Sequence, residues 1–270
     1  NFKTGNVLDM FNMFGLDTYL IDLDLSSFDT SKVANMSRMF DRCEHIKSLN
    51  LKNFDTSSSR DMSYMFQKCS ALENLDISNF NTENVIDMNY MFSKSKKLSS
   101  LDISNFNTKN LYYMKGMFEN CKELKSLNFN KFDTSNVRDM SSLFSNCNSL
   151  TSLDLSRFNT EQVTDMNNMF FSCTKLEYLD VSSFNTKQVT DMNSMFSQCS
   201  ALTSLELNFD TSKVRDMKKM FYQCSVLTSL DLSSFDTNNV IDMQEMFKES
   251  QSLSYLDVSS FKTKNLKVFY

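Results

Sequence analysis

The seven cysteines are the most reactive residue type in this sequence, and all of them fall in one column of a repeated phrase. The phrase reads DMxxMFxxC, and its cysteines are Cys43, Cys69, Cys121, Cys147, Cys173, Cys199 and Cys224. Stacked copies would hold their Cβ vectors parallel, which is poor disulfide geometry, and an odd count argues against obligatory pairing. His45 is the sole histidine and no CxxC occurs, which disfavours a metal site. We therefore expect the cysteines to be small buried groups that fill the core, and we expect no metal or cofactor.

Acidic residues form a second column, at the centre of an LxLxx pattern. Its members are Asp24, Asn50, Asp76, Asp102, Asn128, Asp154, Asp180, Glu206, Asp231 and Asp257. Stacked carboxylates about 5 Å apart should repel one another and raise each other's pKa. Two interpretations remain open. The column is either a groove for cations or a basic partner, or a solvated row, hydrogen-bonded to nearby Ser and Thr, that keeps the sheet from aggregating.

Catalysis needs groups with different roles, whereas these columns repeat one role. Glycoside hydrolysis uses a pair of carboxylates about 5 to 9.5 Å apart around a substrate, and a uniform ladder singles out no such pair. The lone His45 has no recurrent partner that would make it a general base. No Gly-rich phosphate loop occurs. The sequence therefore predicts a protein that is not an enzyme.

The elements that must position both columns are copies of one unit. The first methionines of the phrase are Met10, Met36, Met62, Met88, Met114, Met140, Met166, Met192, Met217 and Met243. The step between them is 26 residues eight times and 25 once, because one residue is missing just before Phe209. A fixed period over ten copies predicts a solenoid in which each unit covers its neighbour's open face. We expect residues 1–270 to form a single repeat domain.

One unit, residues 61–86, reads DMSYMFQKCSALENLDISNFNTENVI. Its LxxLxL part predicts a short strand with one buried face, stacked in parallel on the next unit's strand. Apolar spacings of three and four predict a short helical or 3-10 turn in DMxxMF, with the leading Asp as N-cap. Asn, Asp and Thr of the F[DN]T motif can hold the following bend by bonding to the backbone. The predicted core residues of this unit are Met62, Met65, Phe66, Cys69, Leu72, Leu75, Ile77, Phe80, Thr82 and Val85.

Composition excludes several classes of protein. Hydrophobic content of 41% and charged content of 23% are ordinary globular values, and no apolar run is long enough to predict a membrane span. A net charge of −5 argues against a surface that binds nucleic acid. The 22 lysines against 6 arginines, with no proline, suit the AT-rich genome of a low-GC bacterium.

The frame FxxCxxLxxLxL, followed by a Val and the next MF, resembles the BspA-like leucine-rich repeats of bacterial cell-surface proteins. The nearest pattern is the longer variant SxFxTxxVxDMxxMFxxC. The resemblance runs from Phe2 to Leu266, with Ser95, Ser250 and Asp17 as departures in the cysteine column. It implies a right-handed leucine-rich-repeat solenoid of about ten coils. It also implies a surface-exposed, often lipid-anchored protein that binds host or neighbouring-cell components, and it transfers no ligand contact.

Variable tyrosines are the predicted partner-binding residues. Tyr64 and Tyr90 occupy one outward position of consecutive units, and Tyr112 follows one unit later. Tyr178 and Tyr255 stand on the strand face, where most copies carry Ser. Exposed aromatic side chains often anchor partners, although a scattered surface Tyr is also ordinary. We expect adhesion or host interaction through a protein or glycan. The alternative is a structural spacer or variable surface antigen without a specific ligand.

Both ends of the repeat array look open in the sequence. Phe2 enters without a polar cap, and residues 267–270 stop partway into another unit, with Phe269 where the next Met was due. Because terminal repeats normally carry a polar outer face, we expect a fragment of a longer surface protein, or an oligomer that covers its ends. The N-terminal residues do not form a secretory signal. We therefore expect an extracellular protein at the bacterial cell surface, whose signal or anchor lies outside this chain.

Overall fold

The computed structural model describes residues 3–268, so Phe2 and Phe269, on which the expectation of open ends rests, lie outside the described residues. Ten isolated parallel bridges join the residue that opens each DMxxMFxxC phrase to its counterpart in the next unit, from Asp9 to Val268. One of these steps, from Asp191 to Asp216, spans 25 residues, and the others span 26. Each unit therefore lies on the one before it, and the chain forms a solenoid of stacked coils.

The strands of this solenoid are short and parallel. Strand β1 (Ser48–Leu49) pairs with β2 (Asn74–Leu75), β3 (Ser152–Leu153) with β4 (Tyr178–Leu179), and β5 (Ser229–Asp231) with β6 (Tyr255–Asp257). From β1 to β5 the leucine is buried and the residue before it is exposed. The predicted parallel stacking of the LxLxx segments is confirmed in these pairs.

The core is a set of columns in which successive coils place the same or a similar side chain. The phenylalanines of the MF pairs stack face to face from Phe40 to Phe247, with centroids 5.6 to 5.9 Å apart and planes within 15° of parallel. Of the ten core residues named for unit 61–86, Leu75 is the most exposed, at 8%. Side chains of successive coils therefore cover one another along the stack, which is how a repeat too small to enclose a core by itself buries one.

The DMxxMFxxC segment is a run of turns, and the predicted helical turn is not confirmed. Tyr64 and Lys68 have φ values of 59° and 57°, in the left-handed region. Every second N–H points at the next coil, as in Tyr64 N to Asn89 O at 2.8 Å, and the N–H groups between them close turns three residues back, as in Gln67 N to Tyr64 O at 3.0 Å. Apolar spacings of three and four did not reveal this, because they report buried positions and not where the backbone donors go.

The leading Asp does bond as a cap, although no helix follows it. Asp61 Oδ1 accepts the Ser63 N–H at 2.8 Å, and Asp191 Oδ1 accepts the Asn193 N–H at 2.8 Å. Where Tyr113 replaces the Asp, the N–H two residues on bonds instead to the Asn89 side chain of the coil before. The position therefore needs an acceptor, which a neighbouring coil can supply.

The cysteine column has a role beyond filling space. Cys69 Sγ donates to Phe40 O at 3.2 Å, in the preceding coil, and this bond recurs along the column. Where Ser95 replaces the cysteine, its hydroxyl donates to Phe66 O at 2.8 Å. The column therefore selects a small side chain that can donate one hydrogen bond, and both residue types satisfy that requirement.

Candidate functional site

The predicted tyrosine pair lies side by side, but its ring faces are covered by the protein. The ring centroids of Tyr64 and Tyr90 are 5.1 Å apart, with planes 23° from parallel. The Arg38 guanidinium lies 4.0 Å from the Tyr64 centroid on the other side. Beyond Tyr90 stands Gly116, where an added Cβ would overlap the Tyr90 ring. Only ring edges and hydroxyls remain available to a partner.

Tyr90 is half-buried in this stack, and burial raises the pKa of its hydroxyl to about 12. Tyr112 is 39% exposed and its ring contacts that of Tyr113 at 6.4 Å. Among the described residues, no ring contact joins Tyr112 to the pair of Tyr64 and Tyr90. The three tyrosines that the sequence grouped therefore form two separate features.

Tyr178 and Tyr255 present open rings on the strand face, which we define as the exposed side chains of the LxxLxL segments. Tyr178 is 60% exposed and Tyr255 is 55% exposed. Each lies opposite a serine of the preceding coil, Ser152 and Ser229 respectively. The two tyrosines share one column and lie three coils apart, a distance of about 15 Å at the spacing of parallel strands.

The acidic column of the strand face is held in its charged form. Asp180 Oδ1 accepts the Ser182 N–H at 2.9 Å, and Asp231 Oδ1 accepts the Ser233 N–H at 2.9 Å. Hydrogen bonds from the serine side chain and backbone lower the pKa of the aspartates in this arrangement, which are Asp24, Asp76, Asp102, Asp154, Asp180, Asp231 and Asp257. The expected rise in pKa is therefore wrong, because these bonds outweigh repulsion between exposed carboxylates.

The aspartates that open the turn segments behave in the opposite way. Burial is the largest influence on Asp87 and Asp191 and raises the pKa of each to about 6. It also raises the pKa of Asp165. Neighbouring carboxylates of the same column add to the rise at all three. The two acidic columns therefore differ in charge under mildly acidic conditions.

The strand face is interrupted in the short coil, which we define as residues 191–215. In the neighbouring coils the Phe N–H closes a turn, from Phe184 N to Val181 O at 3.0 Å and from Phe235 N to Leu232 O at 2.9 Å. The described structure has no such bond at Phe209, because the missing residue belongs to that turn. Two side chains of this segment, the Glu206 carboxylate and the Asn208 amide, have no hydrogen-bond partner in the described protein.

A polar cavity opens at this interruption, which we call the notch. Its volume is about 330 Å³, and its lining comprises Leu205, Glu206, Leu207, Asn208, Ser229, Asp231, Ser233 and Ser234. The two leucines are each 7% exposed, so the accessible lining is mostly polar. The 25-residue step located the irregularity in the sequence, but the repeat pattern gave no sign that a cavity would form there.

The remaining chemically active residues do not assemble into a site. His45 is exposed and stacks on Tyr19, with centroids 5.9 Å apart. All seven cysteines are buried and unpaired, and burial raises the thiol pKa, in Cys43 to about 12. Within residues 3–268, no three or more His, Cys, Asp or Glu side chains are arranged to hold a metal ion.

Within residues 3–268 the structure contains no helix that is long and apolar enough to cross a membrane.

Comparison with known proteins supports the repeat fold. A family model described as "Mycoplasma protein of unknown function, DUF285" matches residues 1–48, 43–128, 114–226 and 205–270. A leucine-rich cell surface protein from Faecalibacterium prausnitzii is 14% identical, with a TM-score of 0.50 over 92% of this chain and 68% of that one. A leucine-rich repeat protein from Bacteroides ovatus is 17% identical, with a TM-score of 0.40 over 88% of this chain and 64% of that one.

No curated protein matches the sequence. The Faecalibacterium likeness shows a leucine-rich-repeat solenoid fold. This chain spans about two thirds of the length of the two solved proteins.

Proposed function

Because the chain belongs to the DUF285 family, whose members are described as Mycoplasma proteins of unknown function, we propose a function from its own surface. The protein is a non-enzymatic cell-surface repeat protein that binds a protein or glycan partner through its strand face. The observation that carries this proposal is the exposure of Tyr178 and Tyr255, at 60% and 55%, in a column where most units place Ser. Tyrosine is enriched among residues that dominate binding energy.

The proposal also covers the type of repeat and the location of the protein. The repeats are of the BspA-like kind with a 26-residue period, and the protein is displayed outside a bacterial cell by a signal or anchor beyond this chain. The motif SxFxTxxVxDMxxMFxxC and the fold shared with a leucine-rich cell surface protein support this assignment. Adhesion to a host or neighbouring cell is the corresponding role.

The proposed contact residues differ in what they offer a partner. Tyr178 and Tyr255 offer ring faces. Tyr112, which directly precedes a DMxxMFxxC turn segment, offers a partly exposed ring. Tyr64 and Tyr90 offer edges and hydroxyls, since Arg38 and Gly116 flank their stack. The strand-face pair should therefore contribute more binding energy than the stacked pair.

A binding screen tests this proposal. Purified protein is applied to a panel of extracellular-matrix proteins and to a glycan array, beside the double variant Tyr178→Ala/Tyr255→Ala. We expect saturable binding that weakens by about tenfold or more in the double variant, as for an aromatic hot spot. Tyr19→Ala is the matched control, because Tyr19 is 87% exposed and stacks on His45 away from the strand-face pair. Folded protein that binds nothing in either panel would refute the proposal.

A spacer or variable antigen is the second candidate, and it is favoured by the regular 26-residue register of the other bridges. In-frame deletion of one coil separates the two candidates. Deleting residues 165–190 removes Tyr178, whereas deleting residues 139–164 removes no tyrosine at all. Attachment of cells that display each deletion variant is then measured. If the protein binds a partner, attachment should be lost only with the first deletion. If it is a spacer, both variants should keep attachment.

A further inference from the structure

We propose that the notch, together with Tyr178 and Tyr255, is a binding site for a neutral oligosaccharide. This inference rests on the proposed function, of which it names one ligand class and one site. Two independent features meet at this part of the strand face: the open rings of the two tyrosines, and the polar cavity that the short coil creates.

The geometry suits an elongated ligand. Tyr178, Ser204, Ser229 and Tyr255 occupy one column in consecutive coils, so two small side chains lie between two rings. The rings are about 15 Å apart at the spacing of parallel strands. Ser229 belongs to this column and also lines the notch, which places the cavity between the two tyrosines. A chain of sugar rings could contact both tyrosines and enter the notch at the same time.

The chemistry of the lining matches hydroxyl groups. The Glu206 carboxylate accepts hydrogen bonds, and the Asn208 amide both donates and accepts them. Both side chains are exposed and bond no other group of the described protein, so each is available to a ligand, whereas Asp231 already accepts the Ser233 N–H at 2.9 Å. Adjacent hydroxyls of a sugar could bond both groups in place of water, while the tyrosine rings pack on its C–H faces. Ligand sites commonly combine aromatic surface with a few such polar groups.

Charge selects the kind of sugar. Asp180, Glu206, Asp231 and Asp257 line up in consecutive coils beside the serine column. Serine hydrogen bonds lower the pKa of three of these carboxylates, which are charged at neutral pH. A sialylated or sulfated glycan would add negative charge beside this row and be repelled. A neutral oligosaccharide avoids this cost.

Size favours a small ligand over a protein. A standard protein interface buries about 800 Å² on each partner around an apolar centre. The two leucines of the notch are each only 7% exposed, so the notch offers little apolar surface for such a centre. Its volume of about 330 Å³ lies at the lower end of ordinary small-molecule pockets.

The decisive variant closes the notch without removing any side chain. Insertion of one serine between Asn208 and Phe209 restores the 26-residue step, and we expect it to restore the turn that ends at the phenylalanine. Glu206→Gln and Tyr178→Ala test the polar and aromatic contacts separately, and Tyr19→Ala is the control. The probes are neutral glucose-, galactose- and N-acetylglucosamine-containing oligosaccharides, with sialylated and sulfated counterparts, measured by isothermal titration calorimetry.

We expect the natural protein to bind a neutral oligosaccharide, and the insertion variant to lose this binding while its thermal midpoint is unchanged or higher. Glu206→Gln and Tyr178→Ala should each weaken binding by about tenfold. Preference for an anionic glycan, or neutral-sugar binding that survives the insertion, would overturn the site but not the proposed function. Binding to a matrix protein alone would do the same. Absence of binding to any probe or protein would overturn both proposals.

Discussion

Replacing Thr82 by valine should destabilise the solenoid although the side chain keeps its size. The Thr82 hydroxyl donates to Asn107 O at 3.0 Å and accepts from Asn107 N at 2.8 Å, so one group bonds both backbone atoms of a residue in the next coil. Thr82 is 1% exposed. Valine would leave the Asn107 N–H and carbonyl without these partners at a partly buried position.

The expected cost follows from these two bonds. A buried donor or acceptor left without its partner costs about 1–3 kcal/mol, and water partly reaches the exposed residue Asn107, so Thr82→Val should lower the free energy of unfolding by about 1.5–3 kcal/mol. The methyl that replaces the hydroxyl adds some apolar burial, which offsets under about 1 kcal/mol. The net loss should remain larger than that of an ordinary surface substitution.

Urea denaturation followed by far-UV circular dichroism measures this loss. The matched control is Thr151→Val, because Thr151 is exposed on the strand face and its hydroxyl bonds nothing in the described protein. The control should change the free energy of unfolding by less than about 0.5 kcal/mol. Equal effects of the two substitutions would refute the argument that the threonine hydroxyls hold adjacent coils together.

Three further predictions concern the tyrosine stack beside Gly116, the aspartates that open the turn segments, and the cysteine thiols. Gly116→Ala should cost about 1 kcal/mol or more in urea denaturation, because the position has a φ of 55° and the new Cβ meets the Tyr90 ring, and adding Tyr90→Ala should recover part of that loss. The raised pKa values of Asp87 and Asp191 mean that folding favours their protonated forms, so both residues should stabilise the fold at low pH. Thermal melts should show this contribution lost as pH rises from 3.8 through about 6, and the variant Asp87→Asn/Asp191→Asn should not show that loss. Iodoacetamide should modify no cysteine of the folded protein at neutral pH and all seven after unfolding, as counted by mass spectrometry.

The repeat made the core predictable, because each column was sampled many times by the sequence. The phenylalanine stack, the short parallel strands and the adjacency of Tyr64 and Tyr90 all follow from a 26-residue step. The DMxxMFxxC segment was not predictable in the same way. Its apolar positions fit a helix, but its N–H groups bond to the next coil, and a pattern of side chains does not report the partners of the backbone.

The candidate site was predictable only in part. The exposure of Tyr178 and Tyr255 followed from their place among serines on a strand face, but the notch depends on a residue that is absent. The pKa of the acidic column was predicted with the wrong sign, because repulsion between the carboxylates was weighted above their hydrogen bonds. Bonds to nearby serines were one of the two open interpretations, and the Asx-type bond from the serine two residues on is the one that the structure shows.

The backbone of the turn segments explains how the solenoid leaves side chains free to vary. Among residues 3–268, nineteen residues other than glycine have φ between 54° and 70°, and Gly116 adds one more. Each left-handed residue costs roughly 1–2 kcal/mol, so other interactions must offset a substantial strain. The alternate N–H groups that donate to the next coil provide that compensation, and they do so through the backbone whatever the side chain is. Tyr64, Lys68 and Glu245 can therefore occupy these columns without loss of the frame, and recognition can evolve there and on the strand face while the core stays constant.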